Sequence, residues 1–337
     1  MRRKFSLAIT NSVIFIYVFV AFAGLLRAPA QQQPTREQSA SDSSSIYKGA
    51  RSGIVRPVTI PVTYKRTRGT KAEQEMYYSP GNLMVREDGD EQRILSIRSI
   101  GNAPVSIAII IQDGVVPSIS NDIKSIADFI RRLPRGSRVM VGYIRSGSLE
   151  VRQRFTADLE RATNSLRIPI NSASVAPLSP YIQVIEALKR FESLPTGRRA
   201  LLLISDGLDT RSGLDSSSPA LSIDLDRAIT EAQRRSVAVY SFYAPTIMVS
   251  ALNSSILTAN AQGSLARLSD ETGGRAFFQG TGAPVSFDPF LRELYSSLNS
   301  QIAITYLSTH PEKGFHRIKV TTDARDIKIE HPAGYTR

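Results

Sequence analysis

The sequence predicts an α/β fold: a doubly wound, mostly parallel sheet with a flanking β-sandwich-like module. Three observations carry this prediction. Ile107–Ile111 and Ala200–Ile204 are unbroken apolar runs, as expected of strands buried on both faces of a parallel sheet. Around them, over residues 103–300, strand-length segments alternate with helix-length amphipathic ones, the signature of crossover units. Outside that stretch, on both sides, short β-type segments recur without helices between them. Val58, Ile60 and Val62, for example, alternate with Thr59, Pro61 and Thr63.

Taken in order, the chain opens on Met1-Arg2-Arg3-Lys4, an apolar stretch Val13–Leu26, and Ala28-Pro29-Ala30 as a small-x-small cleavage site. Residues 1–30 therefore read as a secretory signal, with an uncleaved membrane anchor as the alternative. Residues 31–54, rich in Gln, Ser and Thr, are expected to be a disordered linker. A β module follows over 55–102. Pro61 points to an edge or bulge, Leu83–Arg86 is a second strand, Glu87-Asp88-Gly89-Asp90 a turn, and Ile94–Ile97 a third strand.

The α/β stretch begins at Val105–Gln112 and turns through Asp113-Gly114 into a helix that Asn121-Asp122 is expected to cap. Ile123, Ile126, Ala127 and Ile130 give that helix one apolar face, and Leu133-Pro134-Arg135-Gly136 stops it. Strands are predicted at Val139–Ile144 and, after the Ser146-Gly147-Ser148 turn, at Leu149–Phe155. Helices follow at Ala157–Leu166 and from Ser179-Pro180 to Leu194, Ser179 reading as the N-cap.

Arg199–Ser205 repeats the buried-strand pattern and, like the first, ends in acid, at Asp206-Gly207-Leu208-Asp209. A helix carrying Leu225, Ala228, Ile229 and Ala232 precedes a strand at Val237–Phe242. Ala244–Gly263 reads as a long loop of functional or mobile character, or as a short buried helix. Ser264–Glu271 is a helix, Arg275–Gln279 a strand, and Phe290, Leu294, Leu298 and Ile302 share a face of the closing helix. Residues 301–337 add strands at Ile302–Ser308, Phe315–Thr321 and Ile327–Glu330. These are expected to pair with 55–102, because neither flank can hold a core alone.

Composition narrows the chemistry. The 337 residues carry a formal charge of +12, and removing residues 1–30 leaves 38 basic against 30 acidic ones. Arg131, Arg132, Arg135 and Arg138 read as a solvated face at a helix end rather than a nucleic-acid site. With no cysteine there is no disulfide or thiolate metal site, and His310, His316 and His331 all lie near the C-terminus, far in sequence from Asp113. Gly-x-Ser-x-Gly, His-Glu-x-x-His and Gly-x-x-x-x-Gly-Lys motifs are absent. Two buried strands nevertheless deliver carboxylates to one sheet edge, where ligands gather in open α/β sheets.

Several short motifs, in order, resemble the von Willebrand factor A domain, and more narrowly the secreted bacterial VWFA-related proteins of the Acidobacteria type. Val85-Arg86-Glu87-Asp88-Gly89 resembles the turn that precedes the domain in that family, and Pro134–Val139 resembles the approach to its second strand. Leu203–Thr210 is similar to its Leu-Ser-Asp-Gly-x-Asp-Thr element, and Leu268–Gly274 and Gly334-Tyr335 also fit. The resemblance implies a metal-ion-dependent adhesion site whose ligands fall on Asp113, Ser179 and Asp206. Its two serine positions fall on Val115 and Pro117, which cannot coordinate a metal, so the implied site is degenerate.

The expected function is accordingly a non-enzymatic, exported interaction module that binds another protein, located in the periplasm, cell envelope or medium. Its contact rim would be Val115, Val116, Pro117, Ser118 and Asp209, with Ile119 beside it. Ile247, Met248, Val249, Leu252, Ile256 and Leu257 would extend it. No cofactor is expected, and membrane contact only through an uncleaved N-terminal segment. The alternatives are Mg²⁺-dependent adhesion through the residual site, and a hydrolase using Asp113, Asp206 and Asp209 as a metal or acid/base cluster.

Overall fold

Strand β4 (Ser106–Gln112) occupies the middle of a six-stranded sheet, and its alternation divides the core in two. Ile107, Ile109 and Ile111 pack into one cluster while Ala108 and Ile110 pack into the other, all fully buried. In this computed structural model the described residues are 56–66, 83–194, 197–214, 217–324 and 327–337. The signal and linker assignments over 1–54 lie outside them. Among the described residues no helix is long and apolar enough to cross a membrane.

The sheet's order is β6 (Ser148–Thr156), β5 (Arg138–Arg145), β4, β7 (Arg199–Ser205), β8 (Ala238–Tyr243), β9 (Ala276–Phe277). All neighbours are parallel except β6, which returns antiparallel along β5. Counted along the chain this is the order 3-2-1-4-5-6 of doubly wound sheets, whose switch point lies beside the first strand. Helices α1 (Ile123–Arg131), α2 (Leu159–Asn164) and α7 (Asp288–Asn299) cover one face through residues such as Phe129, Ala162 and Leu294. The other is covered by α3 (Tyr181–Lys189), α4 (Ile223–Arg234) and α6 (Ser255–Thr272), through Val184, Ala228 and Leu265.

The two flanks pair. Their strands β1 (Arg56–Arg66), β2 (Leu83–Glu87), β3 (Asp90–Ser99), β10 (Gln301–Ser308), β11 (Phe315–Thr322), β12 (Ile327–Glu330) and β13 (Gly334–Thr336) form one sheet, in the order β12-β1-β10-β3-β2-β11-β13. Every pairing in it is antiparallel. The expected sandwich is thus a single seven-stranded sheet, with its apolar face (Ile60, Val62, Val85, Ile302, Ile304, Tyr306, Ile318) gathered in one cluster. Pro61 pairs across to Ala303, while β12 reaches only Thr63–Arg66, so the missing N–H of Pro61 faces no strand.

Several local expectations need correction. Ile302 lies on β10, three residues past the end of α7, because the chain leaves the helix at Asn299. Asp122 does not cap α1: its Oδ1 accepts from Phe287 N at 2.8 Å and Ser286 Oγ at 3.0 Å, tying the start of α1 to the start of α7. Ser179 does not cap α3; Pro180 holds the N-cap position and Ser179 Oγ is buried without a partner. Of the two readings of Ala244–Gly263 the helical one holds, with α5 (Ile247–Leu252) and the first half of α6 in place of a loop, although α5 buries only Val249. Thr246 and Ser254 cap these helices, each accepting a backbone N–H three residues on.

Arg198 joins the two sheets. Its guanidinium, almost fully buried, donates to Gly101 O at 3.0 Å, Leu298 O at 2.6 Å, Gln301 Oε1 at 3.1 Å and Ala103 O. These acceptors lie on both crossings between the flanking and central sheets, and burial pulls the guanidinium pKa down to about 10. All the described residues belong to one compact unit.

Candidate functional site

The switch point of the central sheet falls where β4 and β7 end, and there the structure brings Asp113 and Asp206 to one rim. The two carboxylates meet different fates. Asp113 is fully buried, and a single guanidinium occupies both of its oxygens: Arg167 Nη1 lies 2.8 Å from Oδ1 and Nη2 2.7 Å from Oδ2. Ile170 N adds a third bond to Oδ1 at 2.8 Å. Arg167 is itself held, with Glu150 Oε2 at 3.3 Å and its guanidinium 3.9 Å from the centroid of the Tyr143 ring. The Tyr143 hydroxyl bonds the backbone of Arg167 at 2.6 and 2.7 Å, and burial pushes that phenol up to about 12.

The backbone closes over the same point. Gly114 N donates to Ile170 O at 2.7 Å, Ile247 N donates to Gly114 O at 3.0 Å, and Val116 N donates to Pro245 O at 3.0 Å. Val115 forms a bridge with Thr246. The chain beyond β4 is therefore bonded on both sides, by the 167–170 segment and by the start of α5. Gly114 permits this twice over: its φ is +84°, and a Cβ there would stand 2.7 Å from Ala176 Cβ.

Asp206 makes no ion pair with any described residue. It is 5% exposed, and burial is the main influence on its carboxyl, raising its pKa to about 6 against the opposing bonds from Leu208 N, Gln112 and Thr246. Tyr181 OH donates to Gly207 O at 2.5 Å, and Thr210 N donates to Leu178 O at 2.7 Å, so the loop after β7 is clamped to the start of α3. Asp209 is engaged separately, accepting from Ser222 Oγ at 2.6 Å and Arg211 N at 3.3 Å.

A hard cation such as Mg²⁺ requires oxygens free to turn toward it. The donor set of this rim does not fit one: Asp113 is wholly committed to Arg167, and Val115 and Pro117 offer no side-chain oxygen. Nor do Asp113, Asp206 and Asp209 bring ligand atoms within 4.8 Å of one another. The apolar rim is also narrower than the sequence suggested. Val115 and Ile119 are fully buried in the core, because the bridge to Thr246 turns Val115 inward. Pro117 and Ser118 are exposed and Val116 is half-buried. Of the neighbouring segment, Val249 and Leu257 are buried while Met248, Leu252 and Ile256 are exposed; Leu178, beside Thr210, is exposed too.

Sequence reasoning missed Arg167. It lies 54 residues from Asp113, and the segment that carries it shows neither helical nor strand periodicity.

No family model matches the chain, and no curated protein matches it. Among solved structures, an aerotolerance-related membrane protein from Bacteroides fragilis NCTC 9343, with multiple mutations to serines, is similar at 13% identity and a TM-score of 0.38, over 58% of this chain and 98% of that one. BatB from Bacteroides thetaiotaomicron is similar at 11% identity and a TM-score of 0.38, over 57% and 97%. The SpRpn10 VWA domain is similar at 12% identity and a TM-score of 0.28, over 41% and 75%. At these scores the likenesses carry no argument. The doubly wound fold is read from the chain's own strand order; its antiparallel edge strand and the placing of Asp113 and Asp206 at the ends of adjacent central strands accord with the von Willebrand factor A resemblance of the sequence.

Proposed function

We propose that this chain is a non-enzymatic, exported interaction module that contacts another protein through the rim of its central sheet, without a metal ion in the contact. The observation that carries this reading is the bidentate Arg167–Asp113 pair, which puts the chain's own cation where an adhesion site would hold a divalent ion. What the rim then offers a partner is a mixed surface: Pro117, Ser118, Leu178, Met248 and Leu252 exposed, with Asp209 half-buried beside them. Such a surface, with polar groups around separate apolar side chains, suits a non-obligate protein contact.

The hydrolase alternative is disfavoured by the same geometry. Asp113 and Asp209 are committed to internal partners, and Asp206, although its pKa suits a general acid near neutrality, is buried beneath the loop it anchors. Export rests on the residues of the N-terminal segment, Met1–Ala30.

The test has two parts. Calorimetric titration of the full chain with Mg²⁺ and Mn²⁺ is expected to show no binding that Asp206→Ala removes; saturable binding lost in that variant overturns the metal-free reading. A photo-crosslinking residue at Ser118 or Met248 is expected to capture a partner from cell-envelope extract that one at exposed Arg317, on the flanking sheet, does not. Met248→Glu with Leu178→Glu should abolish that capture while leaving thermal unfolding unchanged. Equal capture from both faces, or capture indifferent to the two substitutions, excludes the rim as the contact.

A further inference from the structure

Away from the rim, the flanking sheet gathers a second set of titratable side chains, and this one is incomplete. Glu87 ends β2, Asp88 forms the turn after it, and Asp90 opens β3. His310 lies just beyond β10, His316 is on β11 and Tyr335 on β13. The pairings Glu87↔Ile318 and His316↔Tyr335 fold the N-terminal turn against the C-terminal strands. One ligand atom each from Glu87, Asp88 and His310 then lie within 4.8 Å of one another. Among the described residues this is the one group of three acid or imidazole side chains that meets such a limit.

Glu87 is fully buried, and its needs are only half met. Its Oε1 accepts from Tyr335 OH at 2.8 Å and Ser308 Oγ at 3.0 Å, but Oε2 is enclosed with no hydrogen-bond partner. A buried carboxylate oxygen left unbonded is costly, and such groups call for an explanation outside the visible hydrogen bonds. The Tyr306 hydroxyl, buried beside Glu87 and Tyr335, is the neutral group that faces this carboxylate, without a hydrogen bond of good geometry to it.

The surroundings are arranged as support. His316 Nδ1 stands 2.8 Å from Asp88 Oδ2 and its Nε2 2.9 Å from Glu312 O, so both ring nitrogens face acceptors. Its ring stacks on Tyr335, with centroids 5.3 Å apart. Arg317 N holds the other oxygen of Asp88 at 2.8 Å. Asp90 Oδ2 lies 3.3 Å from His310 Nε2 at the exposed mouth of the cluster.

We infer that Glu87, Asp88 and His310 form a binding site for a divalent transition-metal cation, with Zn²⁺ the ion best suited to one imidazole and two carboxylates. Tetrahedral Zn²⁺ places its ligands about 2.0–2.2 Å from the ion and so about 3.4 Å from each other, inside the 4.8 Å within which these three ligand atoms lie. The ion supplies the buried Glu87 carboxylate with a cationic partner. Solvent at the Asp90 side completes the coordination, and His316 orients Asp88 from behind. Because Glu87 and His310 belong to opposite flanks, the bound ion clips together the two ends of the sheet.

The experiment uses the full chain without an affinity tag, stripped with a chelator and dialysed. Zn²⁺ competition against a chromophoric chelator is expected to give one equivalent of saturable binding, and Zn²⁺ at about a hundred times the dissociation constant should raise the melting temperature by about 5 °C or more. His310→Ala and Asp88→Asn should each weaken binding at least about tenfold. Asp88→Asn is chosen because position 88 has φ +51°, which Asn tolerates, so metal-free folding should persist. Asp206→Asn, at the distant rim, should leave the zinc titration unchanged. No saturable zinc binding in the wild-type chain, binding indifferent to both cluster variants, or binding lost in Asp206→Asn overturns the assignment.

Discussion

Asp113 and Glu87 each sit at or just past the end of a strand, each is fully buried, and each has a cationic or ionisable nitrogen base within reach. Asp113 has both oxygens bonded by Arg167 and a backbone N–H besides. Glu87 has one oxygen bonded by two hydroxyls and the other without a close hydrogen bond among the described residues, beside the Tyr306 hydroxyl, and its nearest imidazole nitrogen is 3.5 Å away. The position of a carboxylate at the head of a sheet therefore does not decide whether it binds a ligand. What decides is how much of its hydrogen-bonding capacity the chain has already used, and by that measure Asp113 is closed while Glu87 is open.

The largest effect tests the closed side. Arg167→Met leaves Asp113 as a buried charge without its partner, and loss of one member of such a pair costs about 3–5 kcal/mol. Urea unfolding should show that loss, and Asp113→Asn placed on top of Arg167→Met should return most of it, since the orphaned charge is then gone. A loss under about 1 kcal/mol would mean that the pair is solvent-relaxed and the rim is not sealed in the sense used above.

How much of this was legible in the sequence follows from the range of the interactions. Strands β4 and β7 could be read because an apolar run records burial on both faces residue by residue. The cross-flank pairing could be expected because each flank is too small to hold a core. Seeing one sheet rather than a sandwich, however, needs the register between residues as distant as Ile60 and Ile304. The helices α5 and α6 carry a local signal of their own: Thr246 and Ser254 are both hydroxyl caps three residues before a buried apolar side chain, Val249 and Leu257. Asp113 and Asp206 could be placed at the rim from their strands alone. Arg167 could not, nor could the meeting of Glu87 with His310, because both depend on tertiary contacts between segments without periodicity.

Asp206 sharpens the rim side of the comparison through its pH dependence. Its pKa is raised from 3.8 to about 6 by burial, so the folded state favours the protonated acid. Stability from this group is fully present below about pH 4 and is lost as pH rises through about 6. The shift, net of the neighbouring bonds that favour the charged form, corresponds to about 3 kcal/mol at neutral pH. Asp206→Asn keeps an oxygen for Leu208 N and removes the charge. It should therefore stabilise the chain by about 1–3 kcal/mol at pH 7.5 and leave it nearly unchanged at pH 4. Denaturant midpoints measured at both pH values give the answer; a variant less stable than wild type at pH 7.5 would show that the carboxylate is ionised and paired by a group such as a cation after all.

The smallest expected effect belongs to the open side, and it is the one that separates the two sites most cleanly. Glu87→Gln removes a buried charge but no hydrogen bond, because its amide oxygen can still accept from Ser308 and Tyr335 while its NH₂ group takes the place of an oxygen that has no donor. The cost of losing attraction to His316 is set against the relief of burying a charge. Metal-free stability should therefore move by no more than about 1 kcal/mol in either direction, several-fold less than at Arg167. In the presence of Zn²⁺ the same substitution should erase most of the rise in melting temperature, since the ion loses its buried anionic ligand. A large loss in the metal-free protein would make Glu87 a structural anchor like Asp113, and the two regions would then differ in their partners but not in kind.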